Sequence, residues 1–496
     1  MRYEAVLTQA LHDQACGLLL QHVRRQRQQE ELCFALWRPA TGIARKTALV
    51  SGLVLPQDGE RHLHGNASFE AAYLARATRI AHADGAGLAF LHSHLGPGWQ
   101  GMSDADVIAE RDRIAPAARA CGLPLVGLTL GTDGYWSARF WIRNGRAFER
   151  RWCDKVRVVG GGLRCAYNDA QVPAPRRRPE LRRTIDTWGD AVQSDIGRLR
   201  VGVVGLGSVG CLVAEALARM GVPHLVLIDA DRVARHNLDR LLYAGAEDIG
   251  LHKVILAAKH LTRSATAENF RVDTLMHRLQ ERRAYLAALD CDILFAAVDR
   301  PLPKDLLNHI AYSHCIPVVF GGIFVDRKSN GRLGQAAWSA VTAGPDTCCL
   351  RCDGQYTTSD VVMERDGSLD DPSYIRTHGR AARGQRNQNV FPFSANVASY
   401  MVLEMVRLIA RESWWPQPSG KLHYSFIPNR LATKHQACRP HCSVQALLAQ
   451  GDAANYPFIV DVPAAVYLDW RPPLSWWQIV QRYGRRMRRG WEGEPR

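Results

Sequence analysis

The stretch 200–253 constrains the fold of this chain more than any other. Residues 201–204 are a short apolar, β-branched run. Gly205, Gly207 and Gly210 follow as G-x-G-x-x-G, and CLVAEALARM continues at helical period. Strand, tight turn and helix in that order make a phosphate-binding loop. Its glycines let the backbone approach a ligand closely, and the helix N-terminus offers free N–H groups. A second strand, HLVLID, ends in Asp229, nineteen residues past Gly210, where a ribose-holding carboxylate would sit. The expectation is an α/β nucleotide-binding domain of Rossmann type.

A lone glycine loop most often belongs to a nicotinamide or flavin domain, so an NAD-dependent oxidoreductase is one alternative. The residues beyond the second strand point elsewhere. Asp229, Asp231, Asn237, Arg240 and Lys253 form the series D-x-D-x(5)-N-x-x-R-x(12)-K. A site that neutralises a triphosphate uses such cations and amides; a dinucleotide site does not. The run resembles the adenylating domain of the ThiF/MoeB/ubiquitin-activating superfamily, residue by residue. The resemblance implies that Asp229 holds the ribose of ATP, and that Asn237, Arg240 and Lys253 grip the phosphates beside Gly205, Gly207, Gly210 and Asp231. It also implies that Asp299, at the end of the strand DILFAAVD, carries Mg2+. An arginine ahead of the glycine loop, Arg183 or its neighbour Arg182, would reach into the partner subunit's ATP site, which makes a homodimer the expected assembly.

With 496 residues, the chain has room for two to four domains. No stretch approaches the roughly 18 apolar residues of a membrane span. The N-terminus lacks the pattern of a signal peptide, so the sequence reads as cytoplasmic, with no membrane partner. Thirteen cysteines in a reducing compartment read as buried thiols and metal ligands rather than disulfides. The net charge of +15 sits largely in local arginine clusters without interleaved aromatics. That reads as solvated surface and argues against a nucleic-acid partner.

Residues 1–155 read as a first domain: a helical stretch over 5–29, strands at LCFALW and TALVSGLVL, a helix near 68–84, then GLAFLHSH, a Gly/Pro loop and a helix. His92 and His94 lie two apart on a strand, so both imidazoles can face one metal. Asp106 on the following helix supplies a third ligand and leaves a fourth position for water. The pattern resembles the JAMM/JAB metallopeptidases, H-x-H, a Gly/Pro loop, then S-x-x-D. Here the loop holds eight residues and Leu95 stands where that family has proline. The resemblance implies that His92, His94 and Asp106 bind Zn2+, and that Ser103 stabilises the oxyanion. A glutamate ahead of an early strand is the general base. Glu30 and Glu31 both precede LCFALW, and Glu30 is preferred because it places small Cys33 where the family has a small residue.

Residues 156–181, with three glycines, three spaced prolines and an arginine run, read as an exposed, semi-extended linker. The adenylation domain then covers 182–450. Cys349 and Cys352 form C-x-x-C, and Cys438 and Cys442 follow as C-x-x-x-C, a structural zinc knuckle, with His441 as an alternative to Cys442. Between the pairs, residues 359–393 are polar and Gly/Arg-rich and read as a crossover loop, and residues 395–412 read as an amphipathic helix. Residues 451–496, aromatic and basic, form a C-terminal tail without a motif.

The fold class is therefore α/β: a JAMM-like α/β metallopeptidase domain, then a Rossmann-like ThiF adenylation domain with a zinc knuckle. The resemblance implies ATP-dependent adenylation of the C-terminal glycine of a ubiquitin-like protein, coupled to zinc-dependent processing or removal of that protein, in a bacterial ubiquitin-like conjugation pathway. A conjugating enzyme is a further implied partner. Activation of a sulfur-carrier protein and a non-catalytic scaffold binding a ubiquitin-like fold are the remaining alternatives.

Overall fold

The computed structural model describes residues 1–24, 28–328, 330–370, 389–410 and 420–461. Residues 1–459 form one compact unit, and the rest of the chain, 460–496, falls in a second. The aromatic and basic part of the expected tail lies outside the described residues, as do residues 371–388 of the expected crossover loop, whose opening residues instead form the helix Thr358–Arg365.

The first half of the chain contributes β1 (Arg2–Thr8), β2 (Leu32–Thr41), β3 (Arg45–Val54), a small hairpin of β4 (Arg61–His64) and β5 (Asn66–Phe69), β6 (Gly87–Ser93), β7 (Leu125–Leu130), β8 (Trp136–Asn144), β9 (Ala147–Trp152), β10 (Lys155–Val159) and β11 (Leu163–Tyr167). Apart from the hairpin they make a nine-stranded sheet in the order β11-β10-β1-β3-β2-β6-β7-β8-β9. Two helices cover opposite faces. Gln9–Leu19 packs Ala15 and Leu19 onto one, and Ala71–Ala83 packs Tyr73, Ala77 and Ala81 onto the other.

Two expectations are corrected here. The stretch 5–29 opens as a strand, because RYEAVLT runs beside β3 and β10 and Thr8 then caps the helix by accepting the Leu11 N–H. The expected linker 156–181 begins with most of β10 and all of β11. The glycines read as a flexible connector make a hairpin turn, Gly160 N–H bonding Gly162 O at 2.9 Å. The connector proper shrinks to residues 168–178.

The second half contributes β12 (Arg200–Val204), β13 (His224–Ile228), β14 (Arg271–Leu275), β15 (Ile293–Ala296), β16 (Val318–Arg327), β17 (Leu333–Ala343), β18 (Lys421–Ser425) and β19 (Arg430–Lys434). Their order is β14-β13-β12-β15-β16-β17-β18-β19, parallel through β16 and antiparallel beyond it. The chain runs outward from β12 to β14, then returns to its other side at β15. That reversal opens a crevice at the carboxyl ends of β12 and β15, where open α/β sheets bind ligands.

The two sheets share one core. Val6, Leu49, Val159 and Leu163 of the first cluster with Val201, Val203 and Phe295 of the second. A buried ionic seam joins them as well. Asp292, ahead of β15, accepts hydrogen bonds from Arg45 (2.8 Å), Lys155 (2.6 Å) and the Arg200 N–H (2.9 Å). Glu4 meets Arg45 at 3.1 Å and Arg157 at 3.3 Å. Asp290 accepts the N–H groups of Ala44 and Arg45, and Asp452 holds Thr41. These are contacts between modules that a flexible linker would not predict.

Candidate functional site

The glycine loop sits where β12 meets the helix Ser208–Arg219. Gly205 adopts φ +88°, a left-handed conformation that strains other residues, and a β-carbon at Gly210 would strike the Gly205 carbonyl. Asp229, just past β13, closes the loop from the side. Its Oδ2 accepts the Leu206 N–H at 2.6 Å and its Oδ1 the Asp231 N–H at 2.7 Å. Burial raises the Asp229 carboxyl above its ordinary range, against the pull of Lys253 and these N–H groups.

Asp231 carries the connection onward. Its carboxylate pairs with Lys253 at 2.7 Å, and its carbonyl accepts the Lys253 N–H at 3.0 Å. Lys253 opens the helix Lys253–Ser264. Asn237 ends the short 3₁₀ turn Arg235–Asn237, its Oδ1 capping the Ala234 N–H. Arg240 bonds the His236 carbonyl at 2.6 Å and Asp239 at 2.7 Å. Both side chains thus have local partners in this structure, beyond the phosphate role the resemblance implies. Asp299 lies exposed beyond β15, at the other side of the crevice. Arg183 is exposed on the helix Arg182–Trp188.

Sequence reasoning missed two features of this site. Lys304, on the helix Pro301–Ser313, lies over the Phe320 ring at 5.2 Å; burial lowers its pKa, while Asp299, Glu364 and Asp360 pull it back up. A lysine one helical turn after a strand-end aspartate was the available signal. Ser208 bonds both Ser394 Oγ (2.8 Å) and Asn389 Nδ2 (2.6 Å), which ties the helix Phe391–Ile409 to the glycine loop. No motif marks that contact.

Four cysteines converge from two segments, one after β17 and one after β19. The sulfurs of Cys349, Cys352, Cys438 and Cys442 lie within 4.8 Å of one another, a spacing suited to a tetrahedral ion. Cys442 Sγ is 3.7 Å from both Cys349 and Cys352. Burial works against the Cys442 thiolate, yet the Gln445 and Val444 N–H groups and the neighbouring thiols bring its pKa down to about 6. The group that can hold an ion contains Cys442 and leaves out His441.

A second cluster lies in the first sheet. His92 is near the end of β6 and His94 just beyond it; Asp106 comes from the helix Asp104–Ile108. The two imidazole Nε2 atoms are 3.2 Å apart, and Asp106 lies 3.2 Å from His94 and 3.5 Å from His92. The three ligand atoms fall within 4.8 Å of one another, the chemistry and spacing of a two-histidine, one-carboxylate metal site. Ser103 is the N-cap of the Asp106 helix. Its Oγ accepts the Asp106 N–H while Asp106 accepts the Ser103 N–H, a capping box that fixes the carboxylate.

The two candidate bases differ. Glu31 is buried, salt-bridged to Arg61 at 2.5 Å and bonded by the Leu32 N–H; burial raises its carboxyl, and Arg61 works in the opposite direction. The β2–β6 register pairs Leu32 with His92, and the Ser93 N–H bonds Glu31 O. The ladder ends there, with the Glu30 N–H on Gly65 O and the His94 N–H on Leu130 O, and by alternation Glu30 keeps the parity of Leu32, the partner of His92. Opposed residues of an antiparallel pair share a face, so Glu30 has the parity of both histidines and Glu31 does not.

Residues 181–444, more than half of the chain, match the model of the ThiF family. The chain is similar to the SAMP-activating enzyme E1 of Haloferax volcanii, 30% identical over 168 residues, 34% of this chain and 58% of that protein. It is similar to the sulfur carrier protein adenylyltransferase of Thermus thermophilus, 32% identical over 136 residues, 27% of this chain and 49% of that protein. It also matches the molybdopterin-synthase adenylyltransferase of Escherichia coli K12, 33% identical over 129 residues, 25% of this chain and 48% of that protein. The chain spans about half the length of these curated relatives.

Proposed function

This chain belongs to the ThiF family, and from that premise we propose that it adenylates the C-terminal carboxylate of a ubiquitin-like or sulfur-carrier protein at the β12–β15 crevice. The observation that carries the reading is the Asp229 carboxylate. It joins the glycine loop to the segment leading, through Asp231, to Lys253. In this reading ATP lies along that line, with its ribose at Asp229 and its phosphates toward Lys253, Arg240 and Asn237. The partner's carboxylate attacks the α-phosphorus, the bond to the β-phosphate bridging oxygen breaks, and pyrophosphate leaves. Lys253 and Arg240 spread the charge that develops on the phosphoryl oxygens. Magnesium bound at Asp299 would screen the triphosphate. Lys304, on the helix Pro301–Ser313 and within electrostatic reach of Asp299, would add a further cation. Arg183, exposed on its helix, is the group offered to a partner subunit in a homodimer.

We also propose that the first module is a JAMM-like zinc peptidase that cleaves after the same C-terminal glycine. Zinc at His92, His94 and Asp106 would polarise the scissile carbonyl and activate a water. Asp106 is oriented for that task by its capping box with Ser103, whose hydroxyl then faces the oxyanion. Glu30 takes the proton of the attacking water and passes it to the leaving amine. The names of the relatives favour a small carrier protein as the activated partner, with sulfur transfer or conjugation as the next step.

Pyrophosphate exchange into ATP tests the first reading. It should require magnesium and the partner's free C-terminus, and Asp299→Ala should lower it by orders of magnitude; exchange at the wild-type rate in that variant overturns the assignment. For the second, Glu30→Gln should abolish cleavage while zinc stays bound. If Glu31→Gln abolishes it instead, Glu31 is the base, and if neither does, the mechanism is wrong.

A further inference from the structure

Three side chains at the glycine loop close a polar ring that the proposed chemistry does not use. Asn389 Nδ2 donates to Ser208 Oγ at 2.6 Å, and Ser394 Oγ donates to Asn389 Oδ1 at 3.0 Å. The two hydroxyl oxygens, Ser208 Oγ and Ser394 Oγ, are 2.8 Å apart. Each hydroxyl has one hydrogen. Ser394 gives its own to Asn389, so Ser208 must donate to Ser394, and the donors run one way around the ring. Exchanging the amide oxygen and nitrogen of Asn389 reverses the direction and still closes the ring. In either sense both hydroxyl hydrogens are used inside it, and neither serine has one left for a phosphate oxygen. The ring holds something in place; it does not donate to a ligand.

What it holds is the start of a helix. Ser208 is the first residue of Ser208–Arg219, behind Gly207 at the N-cap. The Cys211 N–H bonds the Gly207 carbonyl, whereas the N–H groups of Ser208, Val209 and Gly210 have no backbone acceptor among the described residues. These are the donors that a phosphate would meet. A glycine-rich loop has more backbone freedom to lose on ordering than any other. Between Gly207 and Gly210, Ser208 is the residue with a polar side chain to hold it by. Ser394, 0% exposed, belongs to the helix Phe391–Ile409, and the two helices share the apolar cluster of Val209, Val213, Val397 and Met401. Replacing both partners of a buried hydrogen bond by apolar groups of the same shape is nearly neutral, so stability alone does not account for the ring. Directional bonds add what apolar packing lacks, a single setting of the first helical turn.

We infer that Asn389 and Ser394 are positioning residues that act through Ser208, setting the first turn of its helix so that the free N–H groups converge on a phosphate of the nucleotide. This rests on the proposal that ATP binds at the glycine loop. Donors fixed before the ligand arrives need no reorganisation when its charge appears, so the ring raises affinity for the phosphates and leaves the nucleoside contacts alone.

The test compares ATP with adenosine, which lacks the phosphates, on the full chain. Ser394→Ala and Asn389→Ala each break the ring. Asn389 is only half-buried, so its truncation opens no core and stays readable if Ser394→Ala does not fold. Calorimetry should find ATP binding roughly three- to tenfold weaker in either variant, the size of one hydrogen bond, with adenosine binding unchanged. The double variant should bind ATP no more weakly than the weaker single one, because the ring fails as a unit. Amide hydrogen exchange at residues 208–210 should quicken in both single variants. Wild-type ATP affinity in both, an equal loss for adenosine, or additive losses in the double variant overturns the inference. A wild-type chain that does not bind ATP overturns the adenylation reading beneath it.

Discussion

Asp292 is the residue on which the union of the two modules most depends, and Asp292→Asn is the perturbation that measures it. In the wild type, Asp292 and Glu4 face three cations, Arg45, Lys155 and Arg157, all buried. The asparagine keeps the shape and one acceptor, so the Arg200 N–H keeps a partner. The three cations are then left with Glu4, which is 3.8 Å from Lys155. Removing one member of a buried ion pair costs about 3–5 kcal/mol. The retained acceptor places this variant near the lower end, about 3 kcal/mol. Urea unfolding followed by hydrogen exchange should give a lower midpoint, with protection in β1, β3 and β10 falling together with that in β12 and β15. The pH dependence has a definite sign. Burial raises the Asp292 carboxyl, but Lys155, Arg45, Arg157 and the Arg200 N–H outweigh it and hold it well below the ordinary range. A depressed folded pKa gives stability that is complete above the unfolded value of about 3.9 and is lost as pH falls through the folded one. The gap between wild type and variant should therefore stay constant from about pH 8 to 5 and narrow below about pH 4. A loss under about 1 kcal/mol, or protection falling in only one sheet, would refute the account of the seam.

Three further outcomes follow from the sites. Cys352→Ser should remove zinc from the cysteine cluster while the histidine cluster keeps its own, read as zinc per chain by atomic emission. Asp229→Asn replaces one acceptor of two short backbone hydrogen bonds with a donor; a hydrogen bond to a charged group contributes about 1.5–3 kcal/mol, so ATP affinity by calorimetry should fall roughly ten- to a hundredfold. Finally, no thioester should form within the chain. There is no cysteine from Asp353 to Ala437, and burial pushes Cys211 up to about 11 and Cys291 and Cys315 up to about 12. Enzyme, ATP and partner on a non-reducing gel should give no thiol-sensitive adduct, and an adduct abolished by Cys315→Ala or Cys348→Ala would contradict this.

The glycine loop, both strands around it and Asp229 were legible in the sequence because they are local: a β-branched run, glycines at fixed offsets and a carboxylate at a fixed distance. The four cysteines and the His92–His94–Asp106 group were legible for a related reason, since ligand spacing survives as short motifs. What was hidden depends on pairing between distant segments. The glycines at 160–162 look the same in a linker as in a hairpin until β10 finds β1. The helix predicted over 5–29 loses its first residues to β1 for the same reason. Arg139 left one overlooked signal, a charge inside the strand YWSARFWI. An arginine in a strand of that pattern needs a buried carboxylate, but nothing in the sequence says that Glu110 supplies it. Asn237 and Arg240 were legible as a motif, while their bonds to Ala234, His236 and Asp239 were not.

The seam around Asp292 also bears on how the two proposed sites would share a substrate. Sites joined by a flexible connector meet each other's products at an effective concentration fixed by tether length, and lengthening the tether changes the rate of transfer. Here the connector is residues 168–178, and the contacts of Arg45, Lys155 and Arg157 with Asp292, not the connector, hold the modules together. The separation of the histidine cluster from the glycine loop is then a constant of the fold. On the proposed reading, a protein tail released at one site would have to leave and rebind to reach the other, and the affinity of each site for the free tail would set the order of the two reactions.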